Sequence, residues 1–220
     1  MEKKANQLKE FVEGNVAFKK NFFKKHETEL IELSRMGQQP KALFIGCADS
    51  RVVPNLVTQA KPGDLFVIRN IGNFVPQYRE NECFNSTSAG IEYAVTVLNV
   101  SEIIICGHTQ CGAIEHLYQN VNTTAHIQKW LALGKQAKNM ALISQSKDVT
   151  KEELYRVTEK LSIISQIEHL MSYPCVKAKI DAEELFIHGW YYDISDGSID
   201  YYDPDEGTFK ALSELEKNNF

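Results

Sequence analysis

The sequence predicts an α/β fold in which a mainly parallel central sheet is flanked by helices, with an N-terminal helical arm before it and a C-terminal β-hairpin at its end. Three observations predict it. Ala42-Leu-Phe-Ile-Gly46, Leu65-Phe-Val-Ile-Arg69 and Glu102-Ile-Ile-Ile-Cys-Gly107 are near-continuous apolar runs of strand length, as parallel strands covered on both faces require. Between the second and third runs, residues 86–98 supply small and apolar side chains suited to a helix packed closely on a sheet, which makes a β-α-β unit. Glu184–Asp193 and Ser198–Asp203 flank Ser195-Asp-Gly197, a turn signal that predicts a hairpin.

Taken in order, residues 4–36 read as helix, because Leu8, Phe11, Val12, Phe18, Phe22 and Phe23 recur at helical spacing among lysines and glutamates, followed by Leu30, Ile31 and Leu33. So many phenylalanines on a charged arm need a surface to cover. The first two apolar runs then read as fully buried strands. Thr150-Lys-Glu-Glu153 is a capping box that opens a long helix, with Leu154, Val157, Leu161, Ile164, Ile167 and Leu170 on its apolar face and a charged, solvated face opposite. There is no internal repeat and no linker, so an arm of residues 1–36 precedes a single α/β domain of residues 37–220.

Composition narrows the function. The 220 residues are 43% hydrophobic and 24% charged, values of a soluble globular chain rather than a disordered or fibrous one. Basic residues number 24 against 29 acidic, a net charge of -5, which argues against a phosphate-neutralising surface and so against a nucleic-acid partner. No apolar run reaches the roughly 18 residues that span a bilayer, and the lysine-rich N-terminus lacks the form of a signal or transit peptide. Five cysteines, an odd number, in a chain this large point to a reduced compartment, the cytoplasm.

The chemistry gathers at two strand ends. Cys47 follows the first run in Gly46-Cys-Ala-Asp-Ser-Arg51, and His108 and Cys111 follow the third in Gly107-His-Thr-Gln-Cys-Gly112. Open parallel sheets place their ligand sites outside the carboxyl ends of strands, so if these strands are neighbours three ligands converge. Two thiolates and an imidazole suit Zn²⁺, and three protein ligands leave the fourth tetrahedral position open for chemistry. Cys106, inside the third run, reads as core, as do Cys83 and Cys175. Cys111 opens a helix whose N-terminus favours its thiolate. Asp49 and Arg51 are spaced so that the arginine fork can hold the carboxylate away from the metal with its acceptor side fixed.

Cys47-Ala-Asp-Ser-Arg51 and His108-Thr-Gln-Cys111 together resemble the paired motifs of the β-class carbonic anhydrases. The resemblance continues through Lys61–Asn73, Ala89–Ala94 and His188–Asp193. It implies zinc-dependent reversible hydration of CO2 to bicarbonate, one Zn²⁺ per chain on Cys47, His108 and Cys111, and Asp49 and Arg51 as catalytic residues. It also implies a homodimer or homotetramer in which the N-terminal helices embrace the partner. Gln38 stands where the plant-like form of the family has a substrate-binding glutamine. Phe66, Ile71, Tyr93 and Gly112 would complete the substrate pocket, and His116 is a candidate proton shuttle. Arg69 and Tyr192 match two positions of the bicarbonate site found in the other form, whereas Phe44 replaces its tryptophan, so the permanently open form is expected. Relatives hydrolysing carbon disulfide or carbonyl sulfide keep the same metal motifs, and a non-catalytic oligomer with Asp49 closing the zinc site is a further alternative.

Overall fold

The structure, a computed structural model, describes residues 2–81, 84–119, 123–146 and 148–217, so Cys83 lies outside the described residues. The chain divides into two compact units, Met1–Gln39 and Pro40–Phe220. In the first, α1 (Glu2–Phe18) runs into a π-helical turn at Lys19–Phe23, and α2 (Glu27–Met36) follows. The expected single helix over 4–36 is therefore interrupted. Phe18, Phe22 and His26 stack at i,i+4 spacing, with ring centroids 5.6 and 4.6 Å apart, and His26 leaves helical geometry where α2 begins. Described side chains of this unit are exposed or half-buried, Phe11 being 78% exposed.

The second unit contains β1 (Ala42–Cys47), α3 (Pro54–Val57), β2 (Leu65–Asn70), α4 (Ser86–Thr96), β3 (Glu102–His108), α5 (Gly112–Tyr118), α6 (Ala125–Leu131) and α7 (Lys135–Ser144). It continues with α8 (Lys151–Leu170), α9 (Pro174–Asp181), β4 (Phe186–Tyr192), β5 (Ile199–Asp203), β6 (Thr208–Ala211) and α10 (Ser213–Lys217). Local chemistry sets the helix starts. Pro54 and Pro174 occupy first-turn positions, Asn85 caps α4 by accepting from the Thr87 and Ser88 N–H groups, and Thr150 with Glu153 forms the expected capping box of α8.

The sheet order is β2-β1-β3-β4-β5-β6, with the first four strands parallel and the last two antiparallel. The β2-α4-β3 unit thus crosses over β1, and β1 and β3 are neighbours, in the register Gly46 opposite Cys106. Every residue of β1 is buried. Leu43, Ile45, Ile103 and Ile105 point into the main core with Ile91, Val95, Ile163 and Leu170, while Phe44, Ile104 and Cys106 point to the opposite face. Cys106 is core as expected, its thiol pushed up to about 12 by burial.

Two expectations need correction. Leu65–Arg69 is not a fully buried strand: β2 is the sheet edge, and Val67 is exposed. The C-terminal hairpin is present as expected; its first strand, β4, pairs in parallel with β3, and a further strand, β6, extends it. The face of α8 expected to be solvated is so only in part. Glu152, Arg156 and Glu168 are exposed, but Thr158, Glu159, Ser162, Ser165, Gln166 and His169 are buried, because the helix packs against β3, β4 and α7, and Gly107 and Gly189 let it approach the strands closely.

Candidate metal centre and active site

The neighbouring parallel strands β1 and β3 end in Cys47 and His108, and the short turn after β3 delivers Cys111 to the N-cap of α5. Ligand atoms of these three buried residues all lie within 4.8 Å of one another, and among the described residues this is the one such His/Cys/Asp/Glu cluster. His108 Nδ1 lies 2.9 Å from the Thr109 carbonyl, which can only accept, so Nδ1 carries the hydrogen. The lone pair is left on Nε2, which is buried and has no hydrogen-bond partner among the described residues. An unpartnered buried imidazole nitrogen beside two thiols fits a cation.

The electrostatics agree. The Cys111 thiol beside it, with help from the backbone N–H of Gly72, holds Cys47 down to about 4 against the effect of burial. The same contact with Cys47, together with burial, pushes Cys111 up, although the N–H groups of Ala113 and Ile114 at the start of α5 oppose this. Two thiolates this close repel, and a divalent cation between them removes the conflict. Gly72 N–H points at Cys47 Sγ from 3.4 Å.

Asp49 is gripped by Arg51 through two donors of one fork: Arg51 Nε donates to Oδ1 at 2.9 Å and Nη2 to Oδ2 at 2.8 Å. The Arg51 backbone N–H also donates to Oδ1. These bonds hold the Asp49 carboxyl far below the usual range. Arg69, on β2, donates to the Cys47 and Asp49 carbonyls, so this guanidinium braces the first motif.

Phe66 and Tyr93 bring their rings to 5.9 Å. Ile71, 49% exposed, precedes Gly72, and its carbonyl accepts from Trp130 Nε1 at 2.7 Å. Gly112 opens α5 with free space where a Cβ would lie. His116 is exposed, and its Nδ1 lies 2.7 Å from the Gly112 carbonyl. Gln38 belongs to the first unit. Phe44 is fully buried, edge-on to Trp190 at 6.5 Å.

Two residues escaped the sequence reading. Gln110, in the left-handed region at φ +58, accepts from Arg51 at both its side chain (3.2 Å) and its carbonyl (3.1 Å), joining the two motifs. Glu159, on α8, accepts from the Cys111 backbone N–H at 2.9 Å and from Tyr191 Oη at 2.7 Å. Burial raises its carboxyl, and these two donors oppose the shift. A usable signal existed for Glu159: it belongs to a helical stripe of small and polar residues, Thr158, Glu159, Ser162, Ser165 and Gln166, suited to close packing rather than to solvent.

The sequence model of the carbonic anhydrase family matches residues 42–199. Carbonic anhydrase 1 of Escherichia coli O157:H7 is 38% identical over 208 residues, covering 94% of this chain and 93% of that protein. The carbonic anhydrase of Pseudomonas aeruginosa is 35% identical over 209 residues, with coverages of 94% and 93%. Among solved structures, the β-carbonic anhydrase CcaA superposes with a TM-score of 0.88 at 34% identity, covering 94% of this chain and 92% of that one. A tetrameric β-carbonic anhydrase from the ascomycete Sordaria macrospora gives 0.79 at 28% identity, with coverages of 94% and 97%. With its parallel sheet and its Cys-His-Cys cluster at the strand ends, the chain belongs to the β-carbonic anhydrases, zinc enzymes that interconvert CO2 and bicarbonate.

Proposed function

We propose that Cys47, His108 and Cys111 hold one Zn²⁺ per chain, and that Asp49, oriented by Arg51, is the hydrogen-bond acceptor that aligns the attacking oxygen in CO2 hydration. The observation that carries this reading is the conjunction of an unpartnered buried His108 Nε2 beside two thiols with a carboxylate turned onto its own arginine two residues from Cys47. When bound, zinc makes hydroxide available near neutral pH by lowering the pKa of its water to about 7, carbonic anhydrases being themselves the reference case. Two thiolates balance the charge of the cation, which suits an uncharged substrate and the departure of an anionic product. The Asp49–Arg51 pair corresponds to the open form, in which Asp49 would stay on its arginine and would not itself hold the metal. By the family resemblance, Phe66, Ile71, Tyr93 and Gly112 are proposed to line the substrate pocket, and Gln38 is proposed as a substrate-binding residue.

The assembly we propose is a homodimer or homotetramer. Supporting it are the exposed Leu8, Phe11 and Val12 on the arm of residues 1–36 and, in the second unit, Leu56, Val67 and Tyr93 on or near the edge strand. The tetrameric Sordaria macrospora relative agrees with it. Residues 37–220 make up the catalytic domain. A cytoplasmic site is supported by four free cysteines among the described residues, where no helix is long and apolar enough to cross a membrane.

Metal analysis with stopped-flow CO2 hydration tests the reading. Cys47→Ser is expected to fall well below one zinc per chain. Asp49→Asn is expected to keep zinc yet lose on the order of 10²-fold or more in kcat/KM, the usual scale for a misaligned reacting group. Full activity in Asp49→Asn would make Asp49 structural. Turnover of carbon disulfide or carbonyl sulfide without CO2 hydration would replace the substrate.

A further inference from the structure

We propose that Glu159 is a positioning residue for the metal site: from α8 it fixes the backbone of Cys111, and so the direction in which that thiolate projects. This rests on Cys111 being a zinc ligand. The turn Thr109–Cys111 has few ways to hold itself in place. Gln110 sits in the left-handed region, which non-glycine residues rarely adopt without support. The turn is instead held from outside at each residue. The Thr109 N–H donates to the Tyr192 carbonyl at 3.0 Å, the Gln110 carbonyl accepts from Arg51, and the Cys111 N–H donates to Glu159.

Unlike the exposed Arg51 contact, the Glu159 contact is buried, and it is made by a side chain from a distant helix. Glu159 is 3% exposed, and a carboxylate is rarely buried so deeply without a dedicated pair of donors. Here one oxygen takes the ligand's own N–H and the other takes the hydroxyl of Tyr191, whose strand residue lies opposite Gly107, next to His108. The carboxylate thus ties α8, β4 and the N-cap of α5 together at the point where Cys111 leaves the backbone. Such outer hydrogen bonds orient ligands and typically change metal affinity by about 10–100-fold when removed. A cleft of about 580 Å³, lined in part by Gln110, Cys111, Glu115, Tyr155, Arg156 and Glu159, lies on this side, so truncating Glu159 enlarges a space next to the ligand.

The test compares zinc-loaded wild type with Glu159→Ala, Glu159→Gln and Tyr191→Phe, reading zinc release to excess chromogenic chelator, the visible spectrum after Co²⁺ substitution, and Tm. Glu159→Ala is expected to release zinc about 10–100-fold faster and to shift the cobalt bands. Glu159→Gln keeps an acceptor for Cys111 and is expected within about 3-fold of wild type. Tyr191→Phe, which leaves the Cys111 bond in place, is expected to lower Tm with little change in release. If Glu159→Ala folds and releases zinc at the wild-type rate, the proposal is overturned. It is also overturned if Tyr191→Phe and Glu159→Ala accelerate release equally at equal loss of Tm, since that is general destabilisation. Should Glu159→Ala not fold, Glu159→Asp, which withdraws the carboxylate by one methylene, is read the same way. Failure of wild type itself to bind zinc would strike the ligand assignment instead.

Discussion

Gly72→Ala probes the loop that supplies an N–H to the Cys47 sulfur. Gly72 sits at φ +78, and a Cβ there would lie 2.9 Å from Ala113 Cβ and 2.9 Å from Phe74 Cζ. The left-handed conformation costs an L-residue about 1–2 kcal/mol. Crowding a packed site adds about 1–3 kcal/mol, because Ala113 belongs to α5 and Phe74 is fully buried, so neither is free to move. The sum, about 2–5 kcal/mol, corresponds to a fall in Tm of roughly 4–20 °C for a chain of this size. Gly197→Ala separates the two contributions. Gly197 has φ +82 with nothing within 4 Å of the added Cβ, so only the backbone contribution remains, a fall of roughly 2–8 °C. Calorimetry with zinc in excess and protein concentration fixed keeps linked binding from confusing the comparison. Equal losses in the two variants would refute the crowding at Gly72, and no loss in either would refute the backbone reasoning as well.

Gln110→Ala removes one of the two bonds between Arg51 and Gln110, and since Arg51 is 44% exposed the solvent-discounted loss is below about 1 kcal/mol, a fall in kcat/KM of roughly 2–5-fold by stopped-flow. Acid should destabilise the fold in a defined direction. Lys41, Ser195 and Lys210 hold Asp64, Asp193 and Asp203 respectively below their ordinary 3.8, so their stabilisation is complete above that value and is lost as pH falls through the lower folded values. Asp203→Asn is therefore expected to melt below wild type near neutral pH and to converge with it as pH drops beneath about 4; a constant gap contradicts the assignment. Deleting residues 1–24 should reduce the assembly mass by light scattering, and an unchanged oligomer would remove the arm from the interface.

A residue's role is legible in the sequence when its partners are near it in the chain or when a strand run marks where it ends up in the fold. Cys47, His108 and Cys111 were legible because each follows a strand run, and strand ends are where parallel sheets place ligands. The capping box at Thr150 was legible for a different reason: its partners are three residues apart. β1 and β2 show apolar runs of the same kind, yet one is central and the other is the edge, since strand order is a property of pairing and not of hydropathy. β6 was missed because four residues, Thr208–Ala211, carry too little alternation to register. Glu159 was misplaced on a solvated face because its partners, a backbone N–H of Cys111 and the hydroxyl of Tyr191, are 48 and 32 residues away.

The arrangement also explains why rigid and adjustable parts are separated as they are. Two of the three ligands issue from the adjacent inner strands β1 and β3, where a shared register and burial fix the spacing of Cys47 and His108 to the geometry of the sheet. Two buried thiolates repel until a cation lies between them, so a rigid frame is what keeps them at ligand spacing. Asp49 and Arg51 lie just past the strand end, where Asp49 is 17% and Arg51 44% exposed, and nearly all that orients the carboxylate is one guanidinium. That guanidinium is tied in turn to Gln110, the residue immediately before Cys111. Any displacement of the Thr109–Cys111 turn therefore moves a metal ligand and the support of Asp49 together. A lesion at Glu159 should for this reason disturb both metal retention and hydration, whereas one at Arg51 should disturb hydration with the zinc still in place.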